Sequence, residues 1–218
     1  FGIIHKMRED LPAFHELGGT FLVLEAQPNF AAQGLNLYVA ARLAWDVDAD
    51  VDLVLEEFFQ KYYGPAAEPM RDYWLTAERY FALERPGTKT ESRVAARPSF
   101  WADLESCLQA AAAVVTNLPP DQKRFADRVQ FQRDGFDYGR LLNQYELQYG
   151  WRTERGGKRI DHVAAVRLLQ ATRARIEGLQ KKYPADDPYW PPLVPGYFQM
   201  NLDEEIKSQQ EAQTRTGP

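Results

Sequence analysis

Cysteine, histidine and methionine are all scarce in this chain of 218 residues: one cysteine, three histidines and three methionines. A single Cys107 excludes an internal disulfide, and redox criteria leave the compartment open. It falls in an apolar helical stretch, where a buried and inert thiol is the expected state. His5, His15 and His162 are scattered and make no ligand cluster with it, so no metal and no cofactor is expected. Basic surplus is also missing. The formal net charge is −5, which argues against nucleic acid or an anionic membrane as a partner. No apolar run approaches the roughly 20 residues that would cross a bilayer. There is no phosphate-binding or dinucleotide glycine pattern, no Ser-His-Asp order and no internal repeat. The first residue is Phe1 and no signal-peptide pattern follows, so the chain is expected to be an excised or processed piece of a longer protein.

Strand-forming runs are nearly absent as well. Thr20-Phe21-Leu22-Val23-Leu24 is the one short, continuous apolar segment rich in strand formers. Phe21, Val23 and Glu25 share one face; Leu22, Leu24 and Ala26 share the other. Apolar residues on both faces are the mark of a parallel strand covered on both sides. A lone strand leaves its backbone groups unpaired, so its partners are expected upstream or in a second copy.

What is there in quantity is helix. Hydrophobic residues make up 44% and aromatics 13%, ample for a packed core. Ile3, Ile4, Met7, Leu11 and Phe14 form an amphipathic helix that Pro12 bends and Gly18-Gly19 ends. Leu35, Tyr38, Val39, Arg42 and Leu43 recur at helical spacing, up to Trp45. The acidic turn Asp46 to Asp50 then offers N-caps to a second helix, with Val51, Leu53, Val54, Leu55, Phe58, Phe59 and Tyr62 as its apolar stripe and Gly64-Pro65 as its stop. These two helices read as a tight corner with Trp45 packed in the elbow. The acidic turn lacks the glycine and distal glutamate of a calcium loop, which makes it a cap. Further helices are expected over 66–83, from Ser99 as cap to Val115, over 122–149 on two apolar stripes, and from Asp161 to Tyr183-Pro184. In the last of these Ala165, Leu169, Thr172, Ile176 and Leu179 recur at heptad-like spacing. Residues 85–97 read as a loop and 152–159 as a charged turn. Residues 185–198, rich in proline and aromatics, read as an extended strap; Trp190, Tyr189, Tyr197 and Phe198 there suit packing better than a sugar platform. Residues 201–218 read as a polar, frayed tail.

Asn36-Leu37-Tyr38, Arg42-Leu43-Ala44-Trp45-Asp46, the acidic turn, and Phe58-Phe59-Gln60-Lys61-Tyr62-Tyr63-Gly64-Pro65-Ala66-Ala67 resemble a stretch of an uncharacterised bacterial family, domain of unknown function 4838. The resemblance covers about residues 18–84. Members of that family resemble glycoside hydrolases, and the "N-x-Y…RL-x-W-(D/N)" core is similar to the α-glucuronidase segment that follows the last strand of a (β/α)8 barrel. The resemblance implies a mainly α chain: one terminal α-β-α unit of a (β/α)8 barrel over residues 1–46, a C-terminal helical bundle domain over 47–184, and the strap and tail over 185–218. It implies carbohydrate as the partner of the full-length parent, a secreted or periplasmic place if that parent acts on polysaccharides, and a possible homodimer.

In a barrel, active groups sit at the C-terminal ends of the strands and in the loops after them. That puts Glu25 and the loop Gln27 to Gln33 at a pocket rim. Glu25 can bind sugar hydroxyls or act as acid or base; Asn29, Gln33 and Asn36 can donate and accept; Phe30 can stack on a sugar face. The competing reading is that Glu25 pairs with a basic neighbour and the loop only closes the barrel. Two-carboxylate hydrolysis needs a second acid that this strand and loop do not supply. The catalytic pair is therefore expected upstream, and the chain alone is expected to be inactive. A self-sufficient helical interaction or dimerisation module is the alternative.

Overall fold

The computed structural model describes residues 3–24, 30–83, 94–148, 161–184 and 196–216. Glu25, Asn29, residues 85–93, residues 152–159 and the strap over 185–195 lie outside the described residues. The described chain is mainly helical and holds no strand. It divides into two compact units, one of residues 1–26 and 31–133, the other of 27–30 and 134–218.

In the first unit, α1 runs Ile4–Glu16, α2 Phe30–Trp45, α3 Val51–Tyr63, α4 Ala67–Ala82 and α5 Pro98–Val115. A 3-10 turn at Gly64–Ala66 joins α3 to α4, and α6, Lys123–Gln148, begins here. No side chain of its own caps α1. Instead Glu78 of α4 takes the free N–H groups of Ile4 at 3.3 Å and His5 at 2.7 Å, and lies 2.6 Å from His5 Nδ1. A carboxylate at a helix N-terminus satisfies donors that nothing else in the helix can. Asp50 caps α3 as its position predicts, accepting from the N–H groups of Asp52 and Leu53. The other end of α3 is closed by Gly64 at φ +54°, and Arg128 of α6 donates to the carbonyls of Tyr62 at 2.7 Å and Lys61 at 3.2 Å.

α4 is the central element and packs against α1, α3 and α5. Tyr73, Met70 and Ala77 are fully buried on it, and Leu104, Leu108 and Ala111 face it from α5. α5 starts two residues earlier than expected. Pro98 opens it, so Arg97, not Ser99, holds the cap position, because a proline without an N–H suits the first helical turn.

A polar chain runs through this core. Trp74 Nε1 donates to Tyr63 Oη at 3.3 Å, Tyr63 Oη donates to Gln132 Oε1 at 3.3 Å, and Gln132 Nε2 donates to the Ala31 carbonyl at 2.5 Å and to Tyr73 Oη at 3.3 Å. Burial raises the phenols of Tyr63 and Tyr73 well above their ordinary range, which keeps both protonated. Gln132 of α6 thereby ties α2, α3 and α4 together.

Trp45 does not fill the elbow between α2 and α3. That contact is made one to two turns earlier, where the Tyr38 ring lies 5.0 Å from Phe58 and Arg42 pairs with Glu57 at 2.7 Å. Trp45 is left 92% exposed. Lys61 also bonds Glu57 at 2.7 Å, and the ammonium and the Arg42 guanidinium hold that carboxyl down at about 2. A depressed carboxyl adds stability above its unfolded value, roughly 4.3, and loses it as pH falls through the folded one. The Glu57 side-chain carboxyl is accordingly expected to titrate near pH 2 by carbon-detected NMR, and a midpoint above 4 would contradict the pairing.

The second unit holds the rest of α6 together with α7, His162–Lys182, and α8, Gly196–Thr216, which packs on α7. Asp161 caps α7 through the Ala164 N–H at 3.0 Å. Ala165, Leu169, Thr172, Ile176 and Leu179 are all buried, as their spacing predicts. The expected frayed tail is instead α8, and residues 196–198 of the expected strap are its first turn. The polar sequence hides a narrow seam: Leu202, Ile206 and Gln209, four and three apart, are buried. Gln209 donates to Glu205 at 2.9 Å and stands 2.7 Å from His162 Nδ1. At the end of α7, Asp134 of α6 takes Arg175 at 2.8 Å, Lys182 at 2.6 Å and the Tyr183 hydroxyl at 2.8 Å.

Candidate functional site

The segment that sequence reasoning singles out as a strand, residues 20–24, is not a strand among the described residues. Gly18, at φ +92°, turns the chain out of α1 with its N–H on the His15 carbonyl at 2.9 Å. Residues 20–24 then run without ladder pairing, for want of an adjacent strand. Phe21 is 78% and Val23 81% exposed on one face; Leu22 and Leu24 are partly exposed on the other. Burying such side chains stabilises by about 1.5–3 kcal/mol each, so their exposure in one run is costly.

At the start of this run lies an open hollow of about 450 Å³. Its walls are the last turn of α1, the run itself, and the end of α2 with the turn after it. Phe14, Phe21 and Trp45 give it three aromatic rings, and His15, Thr20 and Asp46 give it polar groups.

Of the five expected rim residues, Glu25 and Asn29 lie outside the described residues. The other three do not lie on a loop. α2 begins at Phe30, so Phe30, Gln33 and Asn36 follow one another at three-residue intervals on a helix. Phe30 and Gln33 are half-buried. Asn36 is only 8% exposed, and its Oδ1 has no hydrogen-bond partner among the described residues. The helix starts early because Phe30-Ala31-Ala32-Gln33 contains no breaker and Ala31 packs into the core. None of the hollow's polar residues was anticipated from sequence. The available signal was local: an aromatic at the end of a helix, followed by an acid, with a histidine four residues before a glycine.

Among the described residues no three or more histidine, cysteine, aspartate or glutamate side chains group as a metal site, and no helix is long and apolar enough to cross a membrane. Burial raises the Cys107 thiol above its ordinary value, which disfavours a reactive thiolate.

One family model matches part of the chain. The family described as Domain of unknown function (DUF4838) matches residues 2–76. That span takes in α1, the extended run, α2, α3 and the start of α4. Its description assigns no activity. No curated protein and no solved structure shows significant similarity to the chain.

Proposed function

We propose that the chain is the C-terminal part of a glycoside-hydrolase-like, carbohydrate-active protein. In this reading residues 1–46 are the last helix-strand-helix portion of a (β/α)8 barrel, with residues 20–24 as its closing strand. The helices over 47–184 buttress that barrel. Glu25, Asn29, Phe30, Gln33 and Asn36 belong to the end of the strand that carries substrate, and the acid and base belong to other strands.

The observation that supports it is the exposed run Phe21 to Leu24. Its four apolar side chains point to both sides and are open to water. Both faces of a parallel strand inside an α/β fold are covered, and its two edges are paired. A segment of this kind fits a sheet interior better than a free surface. α1 before the run and α2 after it flank it as the two helices of such a unit would.

The test uses the complete coding region. Repeated strand-helix units ahead of Phe1 are expected, with saccharide binding by the full-length protein that weakens in Glu25→Gln. Absence of such units overturns the barrel, and unchanged binding and turnover in Glu25→Gln removes that carboxylate from the site. The 218-residue chain alone is expected to leave aryl-glycosides uncleaved. The same exposed run also suits a homodimer module in which two copies pair along residues 20–24; a concentration-dependent dimer abolished by Val23→Lys, with no upstream barrel units, favours that second reading.

A further inference from the structure

We propose that the hollow between the ends of α1 and α2 is a binding site for a neutral sugar ring. This site belongs to the 218-residue chain by itself and is an alternative to the barrel reading, in which Phe21 would be covered.

The first support is its aromatic lining. Trp45 is 92% exposed, Phe21 78% and Phe14 49%, and all three border one concavity of about 450 Å³. Single exposed aromatics are ordinary; three around one hollow are a binding signature. Small-ligand pockets run from about 300 to 1,000 Å³, so the volume suits one or two rings.

The second is the polar set. His15 Nδ1 lies 3.3 Å from the Gly19 carbonyl oxygen, an acceptor, so Nδ1 carries the hydrogen there. In the neutral imidazole this leaves Nε2 as an acceptor. Asp46 Oδ1 takes the Asp48 N–H at 3.2 Å, and Oδ2 has no hydrogen-bond partner among the described residues. Thr20 adds a hydroxyl that both donates and accepts. Two acceptors and a hydroxyl, set beside open aromatic faces, match a ring with an apolar C–H face and an edge of hydroxyls.

The third is charge. Among the described residues no lysine or arginine lines the hollow and Asp46 is its one carboxylate, so phosphates, sulfates and acidic sugars are disfavoured. A compact ammonium ion would satisfy the carboxylate and one ring but leave Thr20 and His15 unused.

The test is titration of the 218-residue chain with glucose, xylose, galactose and their disaccharides, followed through the Trp45 indole N–H signal. Millimolar binding by at least one sugar is expected. Trp45→Ala and Asp46→Asn are each expected to weaken it by about tenfold or more, with melting temperature unchanged because both side chains are solvent-facing. Asp46→Asn keeps the Oδ1 acceptor of the turn, so it guards against a folding artefact. The proposal is overturned if no sugar moves the Trp45 signal at tens of millimolar, if Trp45→Ala binds as the parent does, or if tetramethylammonium binds more tightly than every sugar.

Discussion

Asp134→Ala is expected to cost the second unit about 2–4 kcal/mol, seen as faster hydrogen exchange along α7 and an earlier urea midpoint. The carboxylate is almost fully buried, at 4% side-chain exposure, and is the common acceptor for Arg175, Lys182 and Tyr183. Removing it takes this acceptor away from a buried phenol and two cations. Arg175 keeps a second carboxylate, Asp137, at 3.5 Å, and Lys182 is half open to water, so both cations recover part of the loss by hydration. Lys182→Met is for that reason expected to cost about 1 kcal/mol or less. A Lys182→Met effect equal to that of Asp134→Ala would show that the acid is not the hub.

Gly64→Ala is expected to destabilise the first unit by about 2–4 kcal/mol, through two separate causes. Its backbone stands at φ +54° and ψ −118°, a region that a side chain strains. A methyl group there would also sit 2.6 Å from the Phe125 ring, which is buried. Phe125 has little freedom to retreat, because the next turn of α6 is fixed by Arg128 on the last carbonyls of α3. Gly178→Ala is the matched control. That glycine lies inside α7 with open space around its Cβ direction, so alanine is expected to stabilise by about 0.5–1 kcal/mol. Comparable losses at both glycines, by chemical denaturation, would rule out the cap geometry as the cause.

Periodicity made most of the helices legible. The buried set Ala165 to Leu179 and the set Leu104 to Val115 follow from spacing alone, as do the Asp161 cap and the Gly64 stop; the acidic turn offered several caps, of which Asp50 is the one used. α8 was not legible because its buried seam is two apolar residues and a glutamine, below what a composition reading credits. Trp45 was misplaced because a large aromatic at a helix corner is ordinarily buried, whereas Tyr38 and Phe58 already fill the contact. Asp134 carries no mark in sequence; its burial depends on Arg175, Lys182 and Tyr183, more than forty positions away. Of the rim set, Asn36 was placed by the motif that contains it, but the side chain is largely buried on α2. The run of strand formers reads as a strand in sequence, but residues 20–24 form none, since a strand needs a partner beside it.

That run has a practical corollary. Phe21-Leu22-Val23-Leu24 is uncharged, free of proline and glycine, and exposed. Short segments of that composition stack into cross-β fibrils when many copies meet at an unprotected edge. Concentrated stocks of the chain by itself should therefore seed thioflavin-positive deposits from this tetrapeptide, long before any of the helices begin to melt.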